Sequence, residues 1–337
     1  MLSNRFAVAT ICALALPLAA CGGGDDGGGD DGGPVEPEGT HYGYVVSKAS
    51  IPPANGKADD YGLDLGARLR NTPDGTIDNA LGETLGSISA LADVDIQGAI
   101  TEAIDQGKIA LLVDFQTTDF TTAGAAGLSV RIGDTTMITP AACADAADTA
   151  CRRHLGGNGT FMIAASSPTN ASVAGKIARG TFNGGPGDLS LQLALGDGAP
   201  IQLNLKNARA RATGISATGM TAIVGGLLPV TDLATSVFPG IQSILAGIVD
   251  EDCPQPRVGM PNCNCASSST FQIIDLFDGK LAEDPTKDCV VSLREIADST
   301  LIKPLIAADV CSTATCTAAD ALSLGIKIEV VKATFPL

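Results

Sequence analysis

Six oxygen donors at regular spacing form the part of this chain that is best suited to bind a metal ion. They stand at positions one, three, five, seven, nine and twelve of a twelve-residue stretch, and the seventh is a backbone carbonyl: Asp284, Thr286, Asp288, Val290, Ser292 and Glu295. Calcium takes about six to eight oxygen ligands, both carboxylates and carbonyls. These residues are therefore candidate ligands of a metal ion such as calcium.

This stretch, 284–295, resembles the calcium loop of an EF-hand and has the apolar Val291 at the eighth position. The resemblance implies that these six residues bind calcium, with Glu295 closing the loop at the twelfth position. It also implies flanking helices, and helical patterns precede and follow the loop. Two residues depart from it: Thr286 is a weaker ligand than aspartate, and Cys289 replaces the glycine of the turn at the sixth position. A disulfide at Cys289 would hold that turn. The alternative interpretation is a helix–turn–helix without an ion, in which Glu295 is a surface residue.

A second stretch, 71–79, contains the Asp-Gly-x-Ile-Asp centre of such loops. Aligned on Gly75, its first position is Arg70 and its twelfth is Leu81, and neither side chain offers an oxygen to calcium. We therefore interpret this stretch as a turn, with Asp78 as the N-cap of the helix that follows.

Eight cysteines follow Cys21, and an even number in an exported chain favours disulfides. They are Cys143, Cys151, Cys253, Cys263, Cys265, Cys289, Cys311 and Cys316. Two pairs are close in sequence and far from the others. We expect bonds between Cys143 and Cys151 and between Cys311 and Cys316.

The other four cysteines form a cluster that three connectivities could satisfy. One residue separates Cys263 from Cys265, which makes a bond between these two unfavourable. We expect each of them to bond with Cys253 or Cys289. A zinc site with four thiolates is the alternative, but it would require two Cys-x-x-Cys pairs, which the sequence lacks, and reduced thiols.

The chain has two histidines and no recognisable catalytic motif. His41 follows a Gly/Asp-rich segment, and His154 lies beside an expected disulfide, so neither has the serine and carboxylate of a triad close by in sequence. A glycosidase needs only two carboxylates, but the chain has three Tyr and no Trp with which to bind sugar rings. We predict that the protein is not an enzyme.

An apolar run over 6–20 follows Arg5 and ends in Leu18-Ala19-Ala20-Cys21. These four residues resemble the lipobox of bacterial lipoproteins, which implies a signal peptide over 1–20 and a diacylglycerol on the Cys21 thiol. The run is too short for a comfortable membrane span. Because Gly22 rather than aspartate follows the cysteine, the resemblance implies an outer-membrane anchor. The alternative is a secretory signal that is cleaved without lipidation.

Residues 21–41 are rich in Gly and Asp and offer no apolar surface to bury, so we expect a disordered tether. The chain has 21 Lys and Arg, of which only Arg5 precedes Cys21, and all 37 Asp and Glu follow it. The mature chain therefore has 20 basic and 37 acidic residues and a net charge of −17. This charge repels phosphate backbones and excludes nucleic acid as a partner.

The sequence predicts a single folded body over 42–337 of the α+β class, with an antiparallel sheet packed against helices. Its parts are helices over 78–106 that break near Asp93, a β-rich stretch over 108–215, a helical and disulfide-rich subregion over 216–324, and a C-terminal strand over 325–335 that returns to the sheet. The stretch between Leu233 and Val249 contains no charged residue. We expect a buried core helix there rather than a membrane span.

These patterns predict a cell-envelope lipoprotein with a non-enzymatic binding or structural role, stabilised by calcium. Its membrane contact would be the lipid at Cys21, and its ligand would be a protein or a hydrophobic molecule. A carrier that holds a hydrophobic ligand between sheet and helix is the alternative, and a hydrolase is a third interpretation.

Overall fold

A computed structural model describes residues 36–337 except 54–55, 57–59, 66–75, 92–94, 146, 194–199, 300–302, 304–305 and 314–316. The predicted lipobox with Leu18 and Cys21, the predicted tether up to residue 35 and the predicted turn at Gly75 lie outside the described residues. The described residues belong to one structural unit.

Nine β-strands occur in the described part of the chain: β1 Thr40–Ser50, β2 Leu111–Thr117, β3 Ala123–Ile132, β4 Gly159–Thr160, β5 Ser172–Ala178, β6 Thr181–Leu193, β7 Ile201–Ser216, β8 Gly219–Pro229 and β9 Ala321–Thr334. Eight pair antiparallel in the order β1-β2-β3-β5-β6-β7-β8-β9, and β9 also pairs with β1, for example Val330 with Val46. The sheet is therefore a closed eight-stranded barrel, and β4 adds a short parallel pairing to β9. The predicted antiparallel sheet with helices is confirmed, and closure is the more specific finding.

The α-helices of the described residues fall into two groups between strands, and a short 3-10 helix, Arg153–Leu155, lies outside both, between β3 and β4. The first is α1 Ala80–Leu91 and α2 Ile96–Asp105; the second is α3 Val230–Asp232, α4 Phe238–Asp252, α5 Ser268–Phe277 and α6 Leu293–Asp298, with a π-helical turn, Leu233–Val237, between α3 and α4. The predicted break within 78–106 is confirmed. The Asp95 side chain starts α2 by accepting a hydrogen bond from the Gly98 amide at 2.7 Å.

Both helix groups lie at the same end of the barrel because of the strand directions. β1 is antiparallel to β2 and β9, and β8 is antiparallel to β9. The C-terminal ends of β1 and β8 therefore meet the N-terminal ends of β2 and β9, and the helices connect these ends. Short turns join β2 to β3, β5 to β6 and β7 to β8 at the opposite end, where β1 begins. The N-terminal segment thus enters the barrel at the end opposite the helices.

Large side chains occupy the barrel interior. The rings of Phe115 on β2 and Phe182 on β6 meet edge to face with centroids 5.2 Å apart, although their strands are not neighbours. The Tyr44 hydroxyl donates to the Ser216 carbonyl at 2.7 Å, from β1 to the end of β7. The side chains of Tyr44, Phe115, Phe182 and Leu128 are all fully buried. The interior is a packed core rather than a channel.

Several expectations about individual elements are wrong. The stretch 216–324 begins with strand β8 rather than a helix. The predicted β-rich stretch over 108–215 is also interrupted: Arg179 and Gly180 have φ of 51° and 74° and form the turn between β5 and β6. Residues 161–165 within it form only an isolated bridge at Ile163. Asp78 is not the residue directly before α1, because the helix begins at Ala80 and Asn79 precedes it; the Asp78 carboxylate accepts from the Leu65 amide at 2.9 Å.

The apolar helix after β8 is less buried than expected. Val230–Asp252 runs for 23 residues and contains an 18-residue window with a mean hydropathy of 1.3, which is long and apolar enough to cross a membrane. Of that window, 18% is buried inside the protein. Leu233, Phe238 and Val249 are buried, whereas Ile248 is 38% exposed. One side of this helix therefore packs against the barrel end and the other faces outward.

Candidate functional site

Two disulfides hold together the second helix group and its loops, residues 230–320, which we call the helical cap. Cys253 bonds with Cys265, and Cys263 bonds with Cys289. As predicted, Cys263 and Cys265 each bond with a partner outside their own pair. These bonds occupy all four sulfurs that the alternative zinc site would need.

The remaining predicted disulfides lie outside the cluster. Cys143 bonds with Cys151 as expected. Cys311 is also disulfide-bonded, and its expected partner Cys316 lies outside the described residues.

A buried carboxylate lies beside the Cys263–Cys289 disulfide. Asp278 is 1% exposed, and its two oxygens accept hydrogen bonds from the Asp288 amide at 3.2 Å and the Cys289 amide at 2.7 Å. An oxygen of Asp278 and both sulfurs lie within 4.8 Å of one another. Burial raises the pKa of Asp278 above its usual value, and the two amide hydrogen bonds oppose this shift. The carboxylate therefore ties the end of α5 to the loop before α6.

A second buried carboxylate, Glu295, connects the same two helices. Its oxygens accept from the Gly279 amide at 3.0 Å and the Ser292 amide at 2.9 Å, and the Ser292 hydroxyl accepts from the Glu295 amide at 3.2 Å. Ser292 and Glu295 thus form a capping box at the start of α6. The Ser-x-x-Glu pattern of this box is visible in the sequence, where we had interpreted both residues as calcium ligands.

The three carboxylates among the predicted calcium donors, Asp284, Asp288 and Glu295, do not form a group with ligand atoms within 4.8 Å of one another. Among the described residues, two groups of three acidic or sulfur side chains have ligand atoms within 4.8 Å: Asp252 with Cys253 and Cys265, and Asp278 with Cys263 and Cys289. Asp284 and Thr286 are exposed, and Asp288 accepts from the Val290 amide at 2.9 Å. Cys289 has a φ of 63°, the left-handed conformation that a loop glycine would adopt. Calcium binding stays a prediction, and it would require Glu295 to release Gly279.

An open cleft of about 270 Å³ lies in the cap between α4 and the segment that follows Asp288; we call it the cap cleft. Its lining is mostly apolar: Pro239, Gln242, Ser243, Leu245, Ala246, Val249, Asp250, Arg257, Cys289, Val290 and Val291. Gln242 donates to the Val291 carbonyl at 3.1 Å and so joins its two walls. The Arg257 guanidinium donates to the Asp250 carboxylate at 2.8 Å and to the Cys253 carbonyl.

A second open cleft, of about 390 Å³, lies between the start of β7 and the helix that includes α4. Its lining contains more polar groups: Pro200, Ile201, Gln202, Asn204, Ser236, Gly240 and Ser243. Both clefts open outside the barrel, at the end where the helices lie.

Neither histidine belongs to a hydrolase triad among the described residues. His41 Nδ1 lies 2.9 Å from an Asp114 carboxylate oxygen on the neighbouring strand. Ser129 pairs with Asp114 from the other side of β2, so the carboxylate stands between serine and histidine, whereas a triad has the histidine in the middle. His154 is fully buried beside the Ile104 carbonyl, and burial lowers its pKa. The sequence interpretation missed the pair of His41 and Asp114 because it began the folded body after His41.

Comparison with family models, with curated proteins and with solved structures found no match for this chain.

Proposed function

We propose that this chain is a lipid-anchored protein of the bacterial cell envelope that binds a partner at its helical cap and performs no catalysis. The single observation that carries the proposal is that β1 begins at the end of the barrel opposite the cap. A lipid on Cys21 would hold the turn end of the barrel toward the membrane. The cap, with both open clefts, would then face away from it.

The dimensions of the tether and the barrel support this orientation. Residues 22–39, taken as a flexible coil, have a root-mean-square span of about 25 Å. The 11 residues of β1, at about 3.3 Å each and a tilt of about 40°, rise about 28 Å along the barrel. A tether of this span would be long enough to hold the barrel away from the bilayer. It would have to extend along the side of the barrel before the cap could touch the bilayer.

The barrel interior favours a role for the surface over an internal ligand. Phe115 and Phe182 meet across it, and Tyr44 spans it to Ser216. A carrier of a hydrophobic ligand would need that volume. The order of Ser129, Asp114 and His41 likewise gives a hydrolase no support.

The anchor is tested by expression in a bacterial host with a labelled fatty acid. The unmutated chain should take up the label and fractionate with membranes, whereas Cys21→Ser should do neither. Equal labelling of the two proteins would contradict the proposal.

The orientation is tested with the lipidated protein in vesicles that carry a quencher on the lipid headgroup. A fluorophore on an added cysteine at Thr218, in the turn between β7 and β8, should be quenched more than one at Val258 in the cap. Equal or reversed quenching would contradict the orientation while leaving the anchor intact.

A further inference from the structure

Exposed apolar side chains concentrate in the helical cap. Ten large apolar residues of the described chain are exposed, and the seven in the cap are Val230, Ile248, Val258, Met260, Leu276, Val290 and Leu293. None of the ten belongs to a barrel strand. The cap therefore presents an apolar surface that the barrel wall does not.

Part of this exposed apolar surface borders the cap cleft. Val290, 54% exposed, lines the cleft itself. Val258, which is 64% exposed, follows Arg257 in sequence, and Ile248 precedes Val249. Both Arg257 and Val249 line the cleft. The cleft volume of about 270 Å³ lies below the range of about 300–1,000 Å³ that is typical of sites enclosing a whole small ligand. The cleft is better matched to one or two side chains of a larger partner, the usual form of an anchor at a protein interface.

The charge around the cleft is acidic. The Asp250 side chain is 72% exposed, and Glu251 and Asp288 are exposed next to lining residues. The one cation in the lining, Arg257, has an 11% exposed side chain and is engaged by Asp250 and the Cys253 carbonyl. A mature chain with a net charge of −17 repels a second copy and anionic lipid headgroups, and it attracts a basic partner.

We infer that the cap cleft binds an aliphatic side chain of a basic polypeptide segment, an inference that rests on the proposed binding role of the cap. The aliphatic group enters between Leu245 and Val249 on α4 and Val290 on the opposite wall. Lysine or arginine residues on either side of it lie near Asp250 and Asp288. The apolar contact supplies the anchor, and the carboxylates select for positive charge and speed the encounter.

The test uses the mature chain with Cys21→Ser, so that a failure of lipidation does not affect the result. Three synthetic peptides of equal length serve as probes: one of leucine and lysine, one with glutamate in place of lysine, and one with serine in place of leucine. Calorimetry should show binding of the leucine–lysine peptide roughly tenfold or more tighter than that of either other peptide. Added salt should weaken this binding.

Two variants locate the binding site. Val290→Ser should weaken binding of the leucine–lysine peptide by roughly tenfold, because it removes an apolar wall of the cleft. Met137→Ser, at a residue 57% exposed and outside the cap, is the matched control and should bind as the parent does. Equal affinity for the three peptides, or equal affinity of the two variants, would overturn the inference. A small neutral apolar dye gives one further outcome. The inference is also overturned if the dye displaces the peptide fully and Val290→Ser does not change the affinity of the dye.

Discussion

The barrel and the helical cap are held together by different kinds of links. Eight strands close on themselves in the barrel, and none of the ten cysteines falls within their bounds. The cap has short helices, of ten residues in α5 and six in α6, below the length of about 12–15 at which an isolated helix is even marginally stable. Two disulfides and the hydrogen bonds of the buried Asp278 and Glu295 carboxylates hold these short helices in place.

This difference shows where each region is vulnerable. Barrel stability is shared among many strand pairings and a common core, so a defect in the core should affect the whole domain. The cap depends on a few separate links, so the loss of one should affect the cap before the barrel. The predictions below address this contrast in order of decreasing effect.

The largest effect is expected from an interior aromatic of the barrel. Phe115→Ala should lower the free energy of unfolding by about 4 kcal/mol, because it leaves a cavity where the ring meets Phe182. Leu276→Ala, at a residue of the cap that is 48% exposed, is the control and should change it by less than about 0.5 kcal/mol. Denaturant unfolding measures both. A similar cost for the two variants would contradict the packed interior.

Removal of the longer disulfide of the cap should come next. The Cys263–Cys289 bond closes a loop with a sequence separation of 26, and the double change to serine should cost about 3.5 kcal/mol. Cys143–Cys151, with a separation of 8, should cost about 2.5 kcal/mol. Hydrogen exchange should show lost protection in α5 and α6 and retained protection in the strands. Uniform loss across the barrel would refute the independence of the two regions.

The calcium prediction and the capping box are separated by two variants. Without calcium, Glu295→Gln should cost about 1–2 kcal/mol because one amide loses its acceptor, and Asp284→Asn should cost almost nothing because Asp284 is exposed. Calcium at about a hundredfold above its dissociation constant should add up to about 2.7 kcal/mol to the unmutated protein, and either variant should abolish the gain. Identical melting curves in calcium and in chelator would leave only the capping box.

The smallest effect is a pH dependence of opposite sign at two buried groups, Asp278 in the cap and His154 outside it. Burial raises the pKa of Asp278 above 3.8, so its contribution to stability is complete below pH 3.8 and is lost as the pH rises through the raised pKa. Burial lowers the pKa of His154 below 6.5, so its contribution is complete above pH 6.5 and is lost as the pH falls through the lowered pKa. Each slope should be at most about 1.4 kcal/mol per pH unit.

Asp278→Asn and His154→Gln should each remove one of these slopes and leave the other. Unfolding free energies measured from acid to neutral pH provide the comparison. An unchanged profile in either variant would show that the buried group does not titrate with folding.

The β-rich stretch over 108–215 was predicted, whereas β8, which is buried on both faces, was not. Within the predicted stretch β6 pairs with β7, for example Leu191 with Leu203. Strand β8 was missed because its inner face belongs to the barrel core while Ile223 and Leu227 on its outer face pack against Leu65, so no polar face marks its period. Barrel closure depends on β1 and β9, which no local pattern connects.

The candidate site was predicted in its covalent links but not in the roles of its carboxylates. Spacing alone made a bond between Cys263 and Cys265 unfavourable, although it could not choose their partners. Ser292 and Glu295 fit both a calcium loop and a capping box, because both motifs need two side chains with oxygen atoms at positions three residues apart. The structure shows the capping box, and the buried Glu295 carboxylate also accepts from the Gly279 amide.

The pairing of β9 with β1 has a consequence for how the chain folds. Partners such as Val46 and Val330 are separated by most of the polypeptide, so closure carries a high contact order and should be slow. Until Ala321–Thr334 has docked, one edge of β1 and one edge of β8 have no strand to pair with and could pair with other chains instead. Docking of β9 is thus the step that closes the barrel in its native state. Truncation within β9 should yield aggregation rather than a smaller folded protein.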